Sequence, residues 1–374
     1  MTLNYCKRCV LPSSRPNLDI NEAGDCNCSV ARHKESIDWE QRENDFKTLV
    51  RRVKSIGADY DCIIPVSGGK DSTWQVVKAL EFGLKPLCVT WRTPGRSELG
   101  QQNLDNLIQL GVDHMDVSIN PDVERRFTLK AFERKGASAI PMHMALHAIP
   151  LNFATKFKVP LILWGENSAF EYGGSDDELM GVRLTHAWLK KYGVTNGTVA
   201  NDWVDGDLSA QDLAIYQWPS DEEQEKAGVT AQFLGHFFKW DPVMTFEAAK
   251  LKGFKAADKP TTGYYSFADV DDNYLIAIHH WVKWYKFGFT RTWDNVSLEI
   301  RAGRLTRNEA IDILKGKGDE TPKREIEMFA QFLEVPVSRI YEIAETFRNH
   351  DIWTKKNNQW VIEDFLLDGW NWGQ

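Results

Sequence analysis

The sequence predicts an α/β protein built on a doubly wound parallel sheet, with a small cysteine-rich module before the sheet and a helical region after it. Three observations support this fold class. The apolar runs DCIIPV, LKPLCVTWR and VDHMDVSIN alternate with helical patterns, the turn SGGKDS directly follows the first run, and four of the six cysteines lie within the first 28 residues. Strands that alternate with helices favour a parallel sheet covered on both faces.

Length and composition set the limits of the prediction. A chain of 374 residues with 43% hydrophobic and 26% charged residues can bury a full core, and we expect two or three units. The net charge of −8 argues against broad attraction to nucleic acid or to an anionic membrane. The start MTLNYCKRCV lacks the pattern of a signal peptide, and no apolar run is long enough to span a bilayer. We therefore expect a cytoplasmic protein.

The first cysteines form a CxxC pair, Cys6 and Cys9, followed by a CxC pair, Cys26 and Cys28. Paired thiolates presented by tight turns suit a tetrahedral zinc ion, and four of them would saturate it, which indicates a structural site. A metal would supply folding energy that so short a module cannot obtain from its own core. Free thiols, an iron–sulfur cluster and, least in keeping with a reducing cytosol, disulfides are the alternatives. His33 could replace one ligand, although a surface histidine is the simpler interpretation.

Periodicity gives the order of elements along the chain. Residues 36–57 have the spacing of an amphipathic helix, and TWQVVKALEFG and NLDNLIQLG are helical patterns between the strand-like runs. VPLILW is a further buried strand, and FLGHFF is predicted as the last strand, followed by a helix. The expected domains are a zinc-binding module over 1–38, a sheet domain over 39–270 with an acidic insertion at about 175–230, and a helical region over 271–374. The insertion is expected to be a lid or an interface, and the end of the chain a helical, tryptophan-ended tail.

The SGGKDS turn has the composition of a phosphate-binding loop. Gly68 and Gly69 let the backbone approach an anion, while free amides and a helix N-terminus point at it. Ser67 and Ser72 add hydroxyl donors, and Lys70 adds a mobile positive charge. Asp71 would be repelled by phosphates unless it holds a cation, so we expect it to contact Mg²⁺. The spacing matches neither GxxxxGK[ST] nor GxGxxG.

A second polar stretch follows the strand VPLILW. Gly165, Glu166 and Asn167 are predicted to lie at the same edge of the sheet as the SGGKDS turn. Glu166 and Asn167 are candidate catalytic residues at that edge, and capping of the next segment is the alternative for both. Thr90, in the run LKPLCVTWR, is a further candidate for nucleotide binding. The four histidines His143, His147, His279 and His280 lack a metal-binding pattern of carboxylates, and we expect them to be packed or exposed.

SGGKDS behind a buried strand resembles the signature of the PP-loop ATP pyrophosphatases. The resemblance implies an adenine-nucleotide α-hydrolase-like fold that splits ATP between the α and β phosphates and leaves AMP on a substrate oxygen. The pyrophosphate would then lie on Ser67, Gly68, Gly69, Lys70, Asp71 and Ser72, with Gly165 close to the nucleotide.

Residues 279–313 indicate a particular family among the PP-loop proteins. KFGFTR followed by IRAGRLTRNEAI closely resembles a segment of the N-acetyl sugar amidotransferases, a PP-loop family of surface-polysaccharide (O-antigen) pathways. The cysteine quartet and the segment WGEN…EYGG are also similar to that family, so the likeness runs from about residue 4 to 315. The family pattern is KFGFGR, and its second glycine is Thr290 here, which puts the role of that glycine in question.

The resemblance implies a specific reaction. ATP would adenylate the acetamido oxygen of an N-acetylated, nucleotide-linked sugar, and ammonia would replace that oxygen to give an acetamidino sugar. Lys70 and the loop amides would stabilise the leaving pyrophosphate. Lys283 and Arg291 are our candidates for the sugar site because they lie among aromatic residues, within a wider basic cluster that includes Lys286, Arg301 and Arg304.

The source of ammonia predicts partner proteins. A built-in glutaminase needs a cysteine nucleophile, but Thr2 follows Met1, and Cys62 and Cys88 lie inside strand-like runs. We therefore expect a separate glutaminase subunit and, by analogy with the family, an ammonia-channelling barrel subunit. A homo-oligomer is compatible with the sequence, and no nucleic acid or membrane partner is expected.

Two other functions compete with this interpretation. A tRNA-thiolating PP-loop ligase would use further core cysteines, commonly a CxxC pair, and a basic face for tRNA. Here Cys62 and Cys88 are isolated, and the net charge is negative. A zinc-dependent or nucleotide-sensing scaffold without catalysis is the other alternative. The sequence favours the amidotransferase.

Overall fold

The computed structural model describes residues 3–30, 34–172 and 181–372. Its centre is a five-stranded parallel sheet in the order β3-β2-β1-β4-β5. The strands are β1 Cys62–Pro65, β2 Pro86–Trp91, β3 Asp113–Val117, β4 Leu161–Trp164 and β5 Thr230–Phe233. The predicted fold class, an α/β protein with a parallel sheet and a helical C-terminal region, is confirmed.

Sixteen α-helices surround the sheet or follow it in the described part of the chain. Those up to β5 are α1 Asn27–Val30, α2 Trp39–Lys54, α3 Lys70–Glu81, α4 Glu98–Ile108, α5 Pro121–Lys135, α6 Ile140–Phe157, α7 Ser168–Tyr172, α8 His186–Tyr192 and α9 Asp221–Lys226. After β5 come α10 Leu234–Phe237, α11 Pro242–Lys250, α12 Leu275–Phe287, α13 Arg291–Arg301, α14 Arg307–Lys317, α15 Lys323–Leu333 and α16 Val337–Thr346.

Alternate residues of each strand enter different core layers. In β1, Ile63 packs with residues of α5 and α6, whereas Cys62 and Ile64 pack on the other face with residues of α2, α3 and α4. This alternation follows from the two-residue repeat of a strand. Because both faces are covered by helices, the strands can be apolar throughout, which is why they appear in the sequence as continuous apolar runs.

The order of the strands creates a crevice at one edge of the sheet. The chain moves outward from β1 through β2 to β3, then returns to place β4 on the other side of β1. The loops that follow β1 and β4 therefore leave the sheet in opposite directions, and ligands bind at such a switch point in open α/β sheets. The SGGKDS turn and the segment Gly165–Asn167 are those two loops.

Two local predictions are wrong. The last strand of the sheet is β5, which ends at Phe233, and the stretch predicted as a strand, FLGHFF, instead forms the short helix α10. Near the end of the chain, β6 Trp353–Lys356 and β7 Gln359–Ile362 form an antiparallel hairpin rather than part of a helical tail. The hairpin buries Trp353 and Ile362 against Leu3, so tertiary contacts between the chain ends decide its structure.

The cysteine module does not stand alone. Cys6 and Cys9 are fully buried in a cluster with Trp293, Val296 and Leu314, which belong to α13 and α14. The sequence indicates that so short a module cannot form a core of its own. The C-terminal helices α13 and α14 supply the apolar surroundings that it needs. Within the described residues, none of the helices has both the length and the apolar character that a membrane crossing requires.

Candidate active site

A cavity of about 580 Å³ opens at the switch point of the sheet. Its walls come from distant parts of the chain: the SGGKDS turn, the loop after β4, the loop before α12, helices α12 and α13, and a turn of the cysteine module. We call one side the loop end, comprising Ser67, Lys70, Asp71, Ser72 and Glu166. We call the other side the cationic end, comprising Arg15, Lys283, Arg291 and Asp294.

Glycine is required at the second position of the SGGKDS turn. Gly68 has a φ of 87°, and a Cβ there would lie 2.6 Å from the backbone nitrogen of Leu104 in α4. No side chain can be accommodated so close to a backbone atom, and L-residues rarely adopt this φ. Gly69 then caps α3 in an extended conformation, so the helix begins at Lys70 with its N-terminus toward the cavity.

The polar residues of the loop end hold one another in place. Ser72 donates to the carbonyl oxygen of Gly69 at 3.0 Å, and the amide of Gly69 donates to the hydroxyl of Ser67 at 3.2 Å. Asp71 accepts from Lys70 Nζ at 2.6 Å on one oxygen and from Trp240 Nε1 at 3.0 Å on the other. Burial alone would raise the pKa of Asp71, but Lys70, together with hydrogen bonds from Trp240 and Thr245, lowers it. Lys70 and Asp71 thus form an ion pair.

Glu166 lines the cavity beside this ion pair. Burial, and next the negative charge of Asp71, raise its pKa to about 7. A third carboxylate, Asp271, accepts a hydrogen bond from Ser67, and burial raises its pKa as well. Three carboxylates therefore lie on one side of the cavity, but among the described residues their oxygens are not close enough together to form a metal site by themselves.

Asn167, predicted as a catalytic candidate, has a capping role in the structure. Its side-chain oxygen accepts from the amide of Ala169 and from Trp188 Nε1, both at 3.0 Å, and its amide donates to the carbonyl of Gly181. It is not among the residues that line the cavity. The alternative interpretation of Asn167, that it caps the following segment, describes these contacts.

Thr90 and Gly165 also lie behind the cavity wall rather than in it. The hydroxyl of Thr90 donates to the carbonyl of Val66 at 2.7 Å, which ties the end of β2 to the base of the SGGKDS turn. A Cβ at Gly165 would lie 2.6 Å from Nε2 of Gln75 in α3. Both residues support the loop end from outside.

The cationic end is organised around one buried carboxylate. Asp294 of α13 accepts from Arg15 Nε at 2.9 Å on one oxygen and lies 3.2 Å from Lys283 Nζ on the other. Burial would raise the pKa of Asp294, but Lys283 and Arg15 hold it well below its usual range. Burial also lowers the pKa of Lys283, and Asp294 opposes that change. The group carries one net positive charge.

Arg291 forms a second ion pair at this end, with Asp269 at 3.2 Å. Its Nη1 also donates to Nε2 of His280 at 2.6 Å. Because a guanidinium can only donate, Nε2 must be the acceptor and the ring proton must be on Nδ1. Asp269 has a φ of 54°, which is unusual for a residue other than glycine, and it lines the cavity with Arg291.

Three of the four histidines expected to be packed or exposed line the cavity, namely His143, His279 and His280. Burial lowers the pKa of His143 to about 4, and burial together with nearby cations holds the pKa values of His279 and His280 well below the usual range. All three are therefore neutral at pH 7. His147 packs against Trp164 with ring centroids 5.0 Å apart, as expected.

The other basic residues of the C-terminal block have different roles. Arg301 donates to the carbonyl of Glu171 at 2.8 Å, and Arg304 pairs with Glu299 and Asp241. Lys286 lines the cavity and donates to the carbonyl of Lys135. Arg301 and Arg304 thus join segments outside the cavity.

Thr290 resolves the question raised by the missing glycine of KFGFTR. Its φ is −120° and its ψ is −175°, an extended conformation that any residue can adopt. Its hydroxyl donates to the carbonyl of Gly318 at 3.2 Å. The first glycine, Gly288, has a φ of 70° and ends α12, so only that position requires glycine.

The cysteine cluster fits a metal ion. The sulfurs of Cys6, Cys9 and Cys26 lie within 4.8 Å of one another, and those of Cys9 and Cys26 are 3.7 Å apart. A tetrahedral zinc with bonds of about 2.3 Å places its sulfurs about 3.8 Å apart. The amides of Cys9 and Cys26 also donate to Cys6 Sγ, which stabilises a thiolate there. The thiol of Cys28 is next to Cys26 but donates to the carbonyl of Tyr172 at 2.9 Å.

Comparison with known families gives a match in the C-terminal part of the chain. Residues 261–366 are similar to the C-terminal domain of WbpG-like lipopolysaccharide biosynthesis proteins. We call this part of the chain the WbpG-like domain because of that similarity. The matched range includes residues 279–313 and agrees with the family resemblance noted from the sequence. The WbpG-like domain therefore contributes Lys283, Arg291 and Asp294 to the cavity.

Two further comparisons add little. Among solved structures, the chain is similar to NMN synthetase from Francisella tularensis, with 14% sequence identity and a TM-score of 0.27. That likeness covers 60% of this chain and 99% of the synthetase chain. No protein of curated function has significant sequence similarity to the chain.

Several cavity residues were not found from the sequence. Arg15, Asp269, Asp271 and Asp294 carry charge into the cavity, and Tyr172 lies between its two ends. Burial, then the charge of Glu166, raise the pKa of Tyr172. Asp294 is a charged residue on the buried side of α13, where it is 8% exposed. A charge in that position of a helical pattern is the sequence signal that could have identified it. Gly173 and Gly174 of the EYGG motif, and His33, lie outside the described residues.

Proposed function

We propose that this protein is an ATP-dependent amidotransferase of lipopolysaccharide (O-antigen type) biosynthesis. It adenylates the acetamido oxygen of an N-acetylated, nucleotide-linked sugar and replaces that oxygen with ammonia to give an acetamidino sugar. AMP and pyrophosphate are released. The observation that carries the proposal is the shared cavity, which is lined by the SGGKDS turn on one side and by cationic residues of the WbpG-like domain on the other.

The first step joins the two ends of the cavity. The acetamido oxygen attacks the α-phosphorus of ATP, the bond to the β-phosphate oxygen breaks, and pyrophosphate leaves with that electron pair. Lys70, the N-terminus of α3 and the hydroxyls of Ser67 and Ser72 stabilise the leaving group. Lys70 Nζ makes one hydrogen bond to Asp71 at 2.6 Å and has two further protons for the phosphates.

In the second step ammonia attacks the imidate carbon, and AMP departs with the original oxygen. The nucleophile must be neutral ammonia, whereas ammonium predominates at pH 7. Glu166 is suited to accept the extra proton, because its raised pKa of about 7 places it close to the working pH.

ATP, Mg²⁺ and zinc are the cofactors of this proposal. Asp71 would hold Mg²⁺, which would neutralise charge on the phosphates. Cys6, Cys9 and Cys26 would hold a structural zinc, with Cys28 as the fourth ligand after its thiol turns from Tyr172 toward Cys26.

A separate glutaminase and an ammonia-channelling barrel remain part of the proposal. Cys62 and Cys88 are both fully buried, and burial raises the pKa of each thiol. Such cysteines suit packing rather than nucleophilic attack or sulfur transfer. The isolated protein should therefore use ammonium chloride but not glutamine. Glutamine-driven turnover without a partner would contradict this division of labour.

One assay tests the reaction. The protein is incubated with ATP, Mg²⁺, ammonium and a panel of N-acetylated nucleotide sugars, and the products are separated and weighed by mass spectrometry. We expect AMP, pyrophosphate and a sugar whose acetamido oxygen has been exchanged for NH. Formation of ADP and orthophosphate, or modification of a tRNA instead of a sugar, would show that the proposal is wrong. An Asp71→Asn variant serves as a control, since an enzyme should lose AMP formation and a scaffold should keep its partners.

A further inference from the structure

The cysteine module contributes Arg15, Pro16 and Asn17 to the cavity wall, and Arg15 is the charged residue among them. Arg15 lies in the loop between the CxxC and CxC pairs, yet its side chain is only 12% exposed. Its Nε donates to Asp294 at 2.9 Å, and its Nη1 donates to the carbonyl of Tyr172 at 2.9 Å. A module predicted to be purely structural therefore contributes to the wall of the active site.

A tight turn fixes the position of Arg15. The amide of Leu18 donates to the carbonyl of Arg15 at 3.2 Å, with Pro16 and Asn17 between them. Asn17 has a φ of 60°, and proline followed by a residue of positive φ is the pattern of a type II turn. The first residue of the turn is therefore held by backbone geometry rather than by its own side chain alone.

The cysteine cluster fixes the turn in its place. Asn27 lies between Cys26 and Cys28, and its side-chain amide donates to the carbonyl of Asn17 at 3.1 Å. Leu18 is buried in the same cluster as the cysteines. The hydroxyl of Ser14, the residue before Arg15, donates to the carbonyl of Phe287 at the end of α12. These contacts lock the turn between the cysteine cluster and the WbpG-like domain.

Two cations at this end keep donors available for a ligand. Among the described residues, Nη2 of Arg15 donates to no protein atom, and it is not one of the buried atoms without a partner. Lys283 Nζ makes one hydrogen bond, to Asp294, and has two further protons. The two cations flank one carboxylate, so the group has a net positive charge and unused N–H donors.

We propose that Arg15, placed by the cysteine module, binds an anionic group of the sugar substrate together with Lys283. This inference rests on the proposed function and names a further residue of its substrate site. The anionic group is either a phosphate of the nucleotide carrier or a carboxylate of the sugar, both of which a guanidinium and an ammonium group recognise. The loop end provides Lys70 and the amides for ATP, so Arg15 acts on the second substrate.

Binding measured by calorimetry tests the proposal with Arg15→Gln, Arg15→Lys and wild-type protein. The ligands are UDP-N-acetylglucosamine, its uronic acid counterpart and α,β-methylene ATP with Mg²⁺. We expect Arg15→Gln to weaken sugar nucleotide binding about 10- to 100-fold while the ATP analogue changes less than about twofold. Arg15→Lys should restore part of the loss because it keeps the charge. Equal losses for both sugars indicate contact with phosphate, and a loss for the uronic acid alone indicates contact with the carboxylate.

Controls separate this role from a structural one. Arg8 lies in the same module, pairs with Asp25 and does not line the cavity, so Arg8→Gln should bind all three ligands as the wild type does. Bound zinc, measured by mass spectrometry, should be unchanged in Arg15→Gln. If Arg15→Gln binds the sugars as tightly as the wild type, or loses only the ATP analogue, the inference is wrong. If the wild type binds the ATP analogue but neither sugar, the proposed function fails and this inference with it.

Discussion

The two ends of the cavity are built in different ways. The loop end comes mainly from six consecutive residues, Ser67–Ser72, and depends on backbone amides, a helix N-terminus and one glycine that cannot be replaced. The cationic end brings together Arg15, Lys283 and Asp294, which are up to 279 residues apart, and depends on side-chain charge. The first end is a local structure, whereas the second exists only after the whole chain has folded.

This difference has consequences for recognition. A backbone cradle can bind the same phosphates in any protein that contains the turn, so it suits a common substrate such as ATP. At the cationic end, each charged side chain that pairs with the buried carboxylate can be substituted separately. Such a site suits a substrate that differs between pathways. We expect mutations that displace the SGGKDS turn to abolish the chemistry, and mutations at the cationic end to change binding or stability.

The largest expected effect comes from Gly68→Ala. A Cβ would lie 2.6 Å from a backbone atom of α4, so the loop must move and AMP formation should fall at least about 100-fold. Gly111→Ala is the matched control, because Gly111 has a φ of 96° but a Cβ added there would meet no atom within 4 Å. The control should lose roughly 1 kcal/mol of stability and keep its activity. Equal activity in the two variants would contradict the loop assignment.

The cysteine cluster should show the next largest effect. Cys6→Ser removes the sulfur that accepts two backbone amides, and we expect loss of bound zinc together with a lower melting temperature. Cys28→Ser should also lose zinc if its thiol completes the site. Cys62→Ser, in β1, should keep the metal. Zinc content is measured by elemental mass spectrometry, and a zinc-replete Cys6→Ser protein would exclude the proposed site.

Asp294→Asn tests the centre of the cationic end. The change leaves Arg15 and Lys283 beside a neutral amide, and we expect a loss of about 3 kcal/mol in the free energy of unfolding. The control is Asp312→Asn, since Asp312 is exposed and pairs only with Lys315 among the residues that the structure describes. That variant should change stability by less than about 0.5 kcal/mol. Chemical denaturation of both variants gives the comparison.

Glu166→Gln should have the smallest effect and the most specific one. In the wild type, turnover at a fixed total ammonium concentration should rise with pH through about 7, as Glu166 loses its proton, and then level off, whereas turnover of the variant should follow the free ammonia concentration and keep rising well above pH 7. Stability should show the opposite trend. Because the folded pKa is raised, the contribution of Glu166 is present below its unfolded pKa and is lost as pH rises through about 7. Above that pH, the variant should therefore be the more stable protein in denaturation experiments.

Much of the fold could be predicted because its signals are local. The apolar runs of β1, β2 and β4, the helix patterns of α2 to α4 and the SGGKDS turn each depend on a few adjacent residues. The prediction was wrong at FLGHFF and at the C-terminal hairpin, where short apolar or aromatic stretches fit more than one structure. There, packing against distant residues decides between helix and strand.

The site was only half accessible from the sequence. Lys70, Asp71, Glu166, Lys283 and Arg291 were chosen from their neighbours in the chain, and the structure brings them to one cavity. Asn167, Thr90 and Gly165 were chosen for the same reason but lie outside the cavity wall. Position after a strand predicts that a residue is near the edge of the sheet, but not which way its side chain points.

The sequence alone determined the parallel sheet, the phosphate-binding turn and the cysteine spacing, because each depends on backbone geometry or on residues a few positions apart. Only the tertiary structure decided that Arg15 of the cysteine module meets Asp294 and Lys283 of the WbpG-like domain. The physical reason is that a charge pair across such a separation has no signature in local periodicity. It forms only when the packing of Cys6, Cys9 and their neighbours against α13 brings the two chain ends together.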